Sequence, residues 1–277
     1  MKHLVRTGDY TIEDMNNIFR LADELKQGKH QSDFIGKTIV LFFPNSSIRT
    51  RITFEKGIFN MGGQSVLFPS DTLDKKERIE DVAGYLNNWA DCLVMRHSNI
   101  KLIDKFSKYS AVPVVNAMTN ENHPCEVLSD LYSFSQRRKD FMELQYTYIG
   151  TNGNIGRAWA EASTAFGFSF IQCCPKGHEI QNMAIEYDIE KAVKQSDIIL
   201  TDSFSEYVNE FKEYQITIDL MRMARRGAML NPCPPFTCGE EVDEAVIDSE
   251  FFVGYGFKAS LLYVQQAILL YSITWAP

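Results

Sequence analysis

"KTIVLFFPNSSIRTRITFEKG", Lys37 to Gly57, decides the fold class. Its first seven residues form an apolar run with no polar face, the pattern of a strand covered on both sides in a parallel sheet. A polar turn follows, and Phe54, Ile58 and Met61 then recur on one helical stripe. Strand, turn and helix in that order make half of a βαβ unit. The turn is chemically dense: Ser46 to Thr53 holds two serines, two arginines and two threonines. N–H groups at a helix start lack helical partners and the dipole there is positive, so an anion is favoured. Ser47 and Thr50 add hydroxyl donors, and Arg49 and Arg51 add planar forks. The plainer reading is a serine cap with surface arginines. A P-loop is excluded, because no G-x-x-x-x-G-K is present.

Outward from this stretch the same logic repeats. "QSVLF" (Gln64–Phe68), "DCLVMR" (Asp91–Arg96) and "AVPVVNA" (Ala111–Ala117) read as further strands. A helix follows from Pro124, a normal first helical residue, to Arg138. "QRRKDFMEL" breaks the pattern and sets a domain boundary, giving domains 1–138 and 139–258. The second half predicts strands at "QYTYIG", "FSFIQCC", "DIILTD", "RGAML" and "FFVG". It predicts helices near Gly156–Phe166, Glu190–Gln195, Gln215–Arg225 and Glu241–Asp248. An apolar helix over about 259–277 closes the chain, buried in its own domain or crossing back to the first. The expected fold is therefore α/β, with two open parallel sheets.

Bulk properties narrow the function. With 277 residues and a formal net charge of -8, the chain lacks a general nucleic-acid footprint. Clustered arginines in an acidic protein suit a small anionic ligand instead. No apolar leader and no run of ~18 apolar residues occurs, which predicts a cytoplasmic protein without membrane spans. None of the six cysteines forms the paired C-x-x-C of a zinc ribbon. Arg96 ends a strand in "VMRH", at the sheet edge where open parallel sheets bind ligands. His123 opens the helix of "NENHPCEVLSD", where the positive dipole end favours a neutral imidazole. Gly150, Gly153 and Gly156 form a strand-to-helix turn with the spacing of a relaxed dinucleotide fingerprint. No acidic ribose partner follows the next strand, so the turn also reads as a backbone requirement. The proline-dense "LNPCPPF" leaves carbonyls free to accept from an amino group.

Taken in order along the whole chain, these motifs resemble the aspartate/ornithine carbamoyltransferase family. That family has a Ser-Thr-Arg-Thr-Arg turn followed by Phe-Glu, matched here by Ser47-Ile48-Arg49-Thr50-Arg51 and Phe54-Glu55. Arg96 matches its arginine after the third strand, "HPCE" its His-Pro-x-Gln helix start, and "NPCPPF" its proline loop. The resemblance implies transfer of a carbamoyl group from carbamoyl phosphate to an amino-acid-like amine, with no cofactor and no metal. It implies that Ser47, Arg49, Thr50 and the N–H of Ile48 hold the phosphate, while Arg51 is structural. Arg96 and His123 would polarise the carbamoyl oxygen, and Arg49, Arg96 and His123 would be catalytic. Glu126, which replaces a glutamine, would sit at the carbamoyl nitrogen with the carbonyls of Cys233 and Pro234. A homotrimer with shared sites is implied, Lys75 or Lys76 reaching the neighbouring subunit's site from the segment Ser70–Glu80.

The acceptor residues are mixed in type. Asn154 and Asp202 match the ornithine branch, whereas Arg157 matches the aspartate branch. Asp202, Glu206 and Glu126 make an acidic neighbourhood, which favours a basic, ornithine-like acceptor. Aspartate or another amine is the alternative acceptor. A member that binds ligand without turnover is a further alternative, motivated by Ile48 and Glu126. An NAD-dependent oxidoreductase rests on the glycine turn alone and explains none of the first half.

Overall fold

The computed structural model describes residues 1–274, so Trp275, Ala276 and Pro277 of the expected last helix lie outside it. The chain divides into two units, Met1–Ser133 with the chain from Lys258 on, and Phe134–Phe257. Each is built on an open parallel sheet flanked by helices, as the alternating apolar runs predict.

The first unit runs α1 (Ile12–Lys26), β1 (Thr38–Phe43), α2 (Arg49–Asn60), β2 (Gln64–Pro69) and α3 (Ile79–Leu86). It continues through β3 (Cys92–Arg96), α4 (Ile100–Tyr109), β4 (Val114–Met118) and α5 (Pro124–Arg137), whose last turn belongs to the second unit. All pairings are parallel, in the order β2-β1-β3-β4. In β1, Val40 and Phe42 join a core with Leu93, Met95, Ile103 and Phe106. Phe43 turns to the other face, its ring 6.0 Å from that of Phe54 on α2. Each such fully buried side chain stabilises by roughly 1.5–3 kcal/mol, which is why β1 is apolar on both faces. Strand order reverses between β1 and β3, the point outside whose C-terminal strand ends open parallel sheets bind ligands.

The second unit comprises β5 (Gln145–Ile149), α6 (Asn154–Phe166), β6 (Ser169–Cys173), β7 (Ile185–Glu186) and α7 (Ile189–Lys194). It ends with β8 (Ile198–Thr201), α8 (Ile218–Arg222), β9 (Met229–Pro232) and α9 (Glu244–Ile247). Its parallel order is β7-β6-β5-β8-β9, with the reversal between β5 and β8. The last helix, α10 (Ser260–Thr274), packs in the first unit against α1 and α2. There Gln266 donates to the Gly57 carbonyl at 3.0 Å. A Cβ on Gly57 would come within 2.8 Å of the Gln266 side chain, so the glycine at the end of the opening stretch is a packing requirement.

Several elements differ from their sequence expectation for local reasons. Phe251–Gly254 is not a strand: it makes one parallel bridge, Leu230 with Phe252, before Gly254 turns away at φ +79. The helix expected from Gln215 starts at Ile218, because the Thr217 hydroxyl caps it by accepting from the Leu220 N–H. The helix expected from Glu241 starts at Glu244 behind the Asp243 cap. Glu241 is instead buried, accepting from the N–H groups of Phe204 and Thr237 at 2.9 and 2.6 Å. Among the described residues, no helix is long and apolar enough to cross a membrane.

Candidate active site

The turn after β1 and the end of β3 meet at the first unit's reversal point. Arg96 Nη1 donates to Ser47 Oγ at 3.1 Å and to Thr50 Oγ1 at 3.3 Å. Both hydroxyls belong to buried residues. Helix α2 begins right behind them, with Ile48 in the cap position and no side chain closing it. The amides of Arg49, Thr50 and Arg51, which helix geometry leaves unpaired, therefore have no cap among the described residues. That answers the plainer reading of the turn, since neither serine caps the helix. Arg49 is exposed, and its side chain forms no hydrogen bond or ion pair among the described residues. Arg51 is committed, its Nε donating to Glu55 Oε1 at 2.7 Å one turn along. The Ile48 side chain points to solvent, 68% exposed, so only its backbone is available to a ligand here.

His123 directly precedes Pro124, the first residue of α5. The imidazole is buried, and its Nδ1 has no hydrogen-bond partner among the described residues. Its pKa falls from 6.5 to about 4, first through burial and then through the Arg96 and Lys258 charges, against the pull of Glu126. The imidazole is thus neutral at physiological pH. One turn further on, Glu126 Oε1 accepts from Lys258 Nζ at 2.7 Å. Lys258 also donates to both oxygens of Asp130, at 2.7 and 2.8 Å. Burial alone would push the Glu126 carboxyl up, but Lys258, with Arg49 beyond it, holds it below its usual range.

The structure thus brings Ser47, Thr50 and Arg96 into direct contact, and sets His123 within electrostatic reach of Arg96 and of Glu126. Lys76 is not part of this group: it is exposed and bonds to no described residue. The segment before it is anchored by a histidine that the sequence reading passed over. His97 Nδ1 accepts from the Asn99 N–H at 3.1 Å, which leaves Nε2–H to donate to Asp74 at 3.0 Å. Asp74 ends the 3-10 turn Ser70–Asp74, immediately ahead of Lys75 and Lys76. A histidine next to the site arginine was the available signal. Lys258 was also missed; an isolated cation ahead of an apolar helix was the only hint.

In the second unit the acceptor candidates gather at the C-terminal ends of neighbouring strands. Ile149 pairs with Thr201, and Thr201 with Pro232, so the glycine turn, Asp202 and Cys233 lie side by side. The Cys233 N–H donates to the Thr201 carbonyl at 2.8 Å, fixing the start of the proline loop. Asn154 is the first residue of α6, and Arg157 Nε is held by Asn152 Oδ1 at 2.7 Å. The glycines of this turn serve Tyr148. A Cβ on Gly150 would come within 2.6 Å of the Tyr148 hydroxyl, and one on Gly156 within 2.4 Å of its ring. Gly150 and Gly156 are thus required for packing around a tyrosine of the protein itself, the backbone reading of this turn.

Two family models match the chain in succession. One, described as "Aspartate/ornithine carbamoyltransferase, carbamoyl-P binding domain", covers residues 2–136. The other, "Aspartate/ornithine carbamoyltransferase, Asp/Orn binding domain", covers residues 142–272. The ornithine carbamoyltransferase of Nitrosococcus oceani is 31% identical over 291 residues, spanning 96% of each chain. That of Desulfotalea psychrophila is 29% identical over 296 residues, spanning 96% of this chain and 97% of its own. Among solved structures, ornithine carbamoyltransferase from Burkholderia thailandensis superposes with a TM-score of 0.92 at 26% identity, covering 99% of each chain. The enzyme from Pyrococcus furiosus does so at 0.90 and 28%, covering 97% of this chain and 96% of its own.

Proposed function

The chain belongs to the aspartate/ornithine carbamoyltransferase family, and on that premise we propose that it moves the carbamoyl group of carbamoyl phosphate to the side-chain amine of ornithine or a close analogue. The observation that carries this reading is the Arg96 guanidinium bonded to Ser47 and Thr50 at an uncapped helix start, beside a neutral buried His123. Phosphate is held by Ser47, Thr50, the Ile48 and Arg49 amides and the uncommitted Arg49 side chain. A neutral amine attacks the carbamoyl carbon, the carbonyl oxygen becomes an oxyanion, and the carbonyl re-forms as the C–O bond to phosphate breaks, the proton shed by the attacking nitrogen leaving on the phosphate. Arg96 and His123 donate to that oxygen as its charge grows, which is electrostatic stabilisation by groups already in place. Arg49 takes up charge on the departing phosphate. Glu126 accepts from the carbamoyl NH2.

For the acceptor, Asn154 and Asp202 hold the amino-acid end, as supported by their shared position at the strand ends of β5 and β8. The engagement of Arg157 by Asn152 weighs against its reading a second carboxylate, and so against aspartate. The enzyme works as a homotrimer in which Lys76 enters the neighbouring subunit's site. The edge strand β2 and the outer face of α2 support an interface with a second copy: Ile52 and Phe59 stand 57% and 78% exposed on one helical stripe. All six cysteines are free, which suits a reducing compartment, and we assign the protein to the cytoplasm.

A panel of amines with carbamoyl phosphate tests the reading. Ureido product from ornithine but not from aspartate is expected; product from aspartate alone would overturn the acceptor assignment. Carbamoyl phosphate binding with no product from any amine would favour a binding protein. The shared site is tested by mixing Arg49→Ala and Lys76→Ala subunits, each inactive alone. Exchange without recovered activity would rule it out.

A further inference from the structure

Lys258 has no assigned role in this reading, yet it makes the shortest contacts around the carbamoyl end of the site. Its Nζ lies 2.7 Å from Glu126 Oε1 and 2.7 and 2.8 Å from the two Asp130 oxygens. The side chains are 21% exposed for Lys258, 8% for Glu126 and 3% for Asp130. A pair in water would mean little, but these carboxylates are withdrawn from it and need a counter-charge. The Lys258 bond is the only side-chain hydrogen bond of Glu126 among the described residues, which leaves Oε2 uncommitted. A carboxylate at this place poses a problem for the proposed substrate, whose phosphate is itself anionic.

We propose that Lys258 is a positioning residue for carbamoyl phosphate: it clamps Glu126 through Oε1, offsets its charge, and turns Oε2 to accept an N–H of the carbamoyl group. The inference rests on the carbamoyltransferase reading above. Together Glu126 and Lys258 present what an amide would, an acceptor oxygen whose charge is offset by an ammonium that Asp130 shares. Lys258 touches neither the phosphate nor the reacting carbon in this scheme. The groups facing Glu126 are Arg49 from α2, His123, Cys125 and Asp130 from α5, and Lys258, with Arg96 from β3 behind His123. His123 is neutral at physiological pH, and burial pushes the Cys125 thiol up, so it is neutral too. Glu126 therefore stays ionised through Lys258 and Arg49. Without Lys258, burial prevails and the carboxyl titrates at higher pH.

The test is calorimetric binding of a methylene phosphonate analogue of carbamoyl phosphate to the full chain, from about pH 6 to about pH 8.5. Compared are the wild type, Lys258→Met and Lys258→Met/Glu126→Gln. Lys258→Met is expected to bind about tenfold or more weakly at the alkaline end, and to recover as Glu126 takes up a proton. Adding Glu126→Gln restores affinity to within roughly threefold and abolishes the pH dependence. If Lys258→Met is soluble only poorly because Asp130 loses the Lys258 ammonium, both variants are made on an Asp130→Asn background. Undiminished binding by Lys258→Met, or weak binding that Glu126→Gln does not rescue, overturns the inference while the carbamoyltransferase reading stands. A wild type that does not bind the analogue overturns both.

Discussion

Acid should destabilise this protein through one imidazole, and replacing His123 by glutamine should remove that component. Burial, with Arg96 and Lys258, depresses the His123 pKa from 6.5 to about 4 in the folded state. The unfolded chain takes up that proton near the ordinary value. Between the two pKa values the unfolded state therefore holds more protons, so stability rises with pH and is lost as pH falls. The whole gap corresponds to ~3 kcal/mol, of which ~2 kcal/mol lies between about pH 7 and about pH 5. Carboxylates also titrate in that range, and apart from Glu126, which His123 faces, they do so equally in wild type and His123→Gln, so the difference between the two is set chiefly by the imidazole. Urea unfolding at both pH values, with no ligand and constant ionic strength, measures it. Wild type should lose ~2 kcal/mol more than the variant on acidification. NMR of the ring protons supplies the independent check, with no titration of His123 above about pH 5. Equal losses in the two proteins, or a ring that titrates near its ordinary value, would refute the argument that the site keeps this group neutral.

Four further outcomes follow from the same geometry. Arg96→Ala removes a donor aimed at the developing oxyanion and should lower kcat by about 10²–10³, with a smaller change in carbamoyl phosphate KM. Arg49→Ala, acting on a guanidinium with no hydrogen bond or ion pair among the described residues, should raise the carbamoyl phosphate KM while leaving the thermal midpoint within a degree or two; a large drop in the midpoint would assign it a structural role instead. Asp202→Asn should raise the ornithine KM by roughly 10–100-fold, as expected for a lost hydrogen bond to a charged group, without changing carbamoyl phosphate affinity. Gly156→Ala forces a methyl against the Tyr148 ring 2.4 Å away and should destabilise the second unit by about 1–3 kcal/mol, read by urea unfolding.

The parts legible in the sequence are those fixed by local pattern. Apolar runs such as Lys37–Phe43 and Asp91–Arg96 can only be covered strands, and the turns after them carry the ligand chemistry of a parallel sheet. Ser47, Thr50 and Arg96 could be named because their side-chain types announce an anion, and the structure joins them by hydrogen bonds. Two helices were readable and passed over. Thr11 and Asp14 form a reciprocal cap ahead of α1, and Asn99 caps α4 above buried Ile100, Ile103 and Phe106. The short elements of the second unit were overextended because threonine and aspartate caps, rather than apolar periodicity, set their ends. Lys258 was illegible for a different reason. It meets Glu126 across 132 positions of chain, and nothing local distinguishes it from a surface lysine. The effect of glutamate at position 126 likewise depends on that distant partner. Read alone the residue suggests an impaired site; beside Lys258 its charge is offset.

The most direct measurement is carbamoyl transfer itself, by the purified chain given labelled carbamoyl phosphate and ornithine. The account predicts that label appears in citrulline, that one phosphate is released per citrulline formed, and that both stop when ornithine is omitted. Phosphate release that ignores the amine, or no citrulline from a protein that binds carbamoyl phosphate, would contradict it.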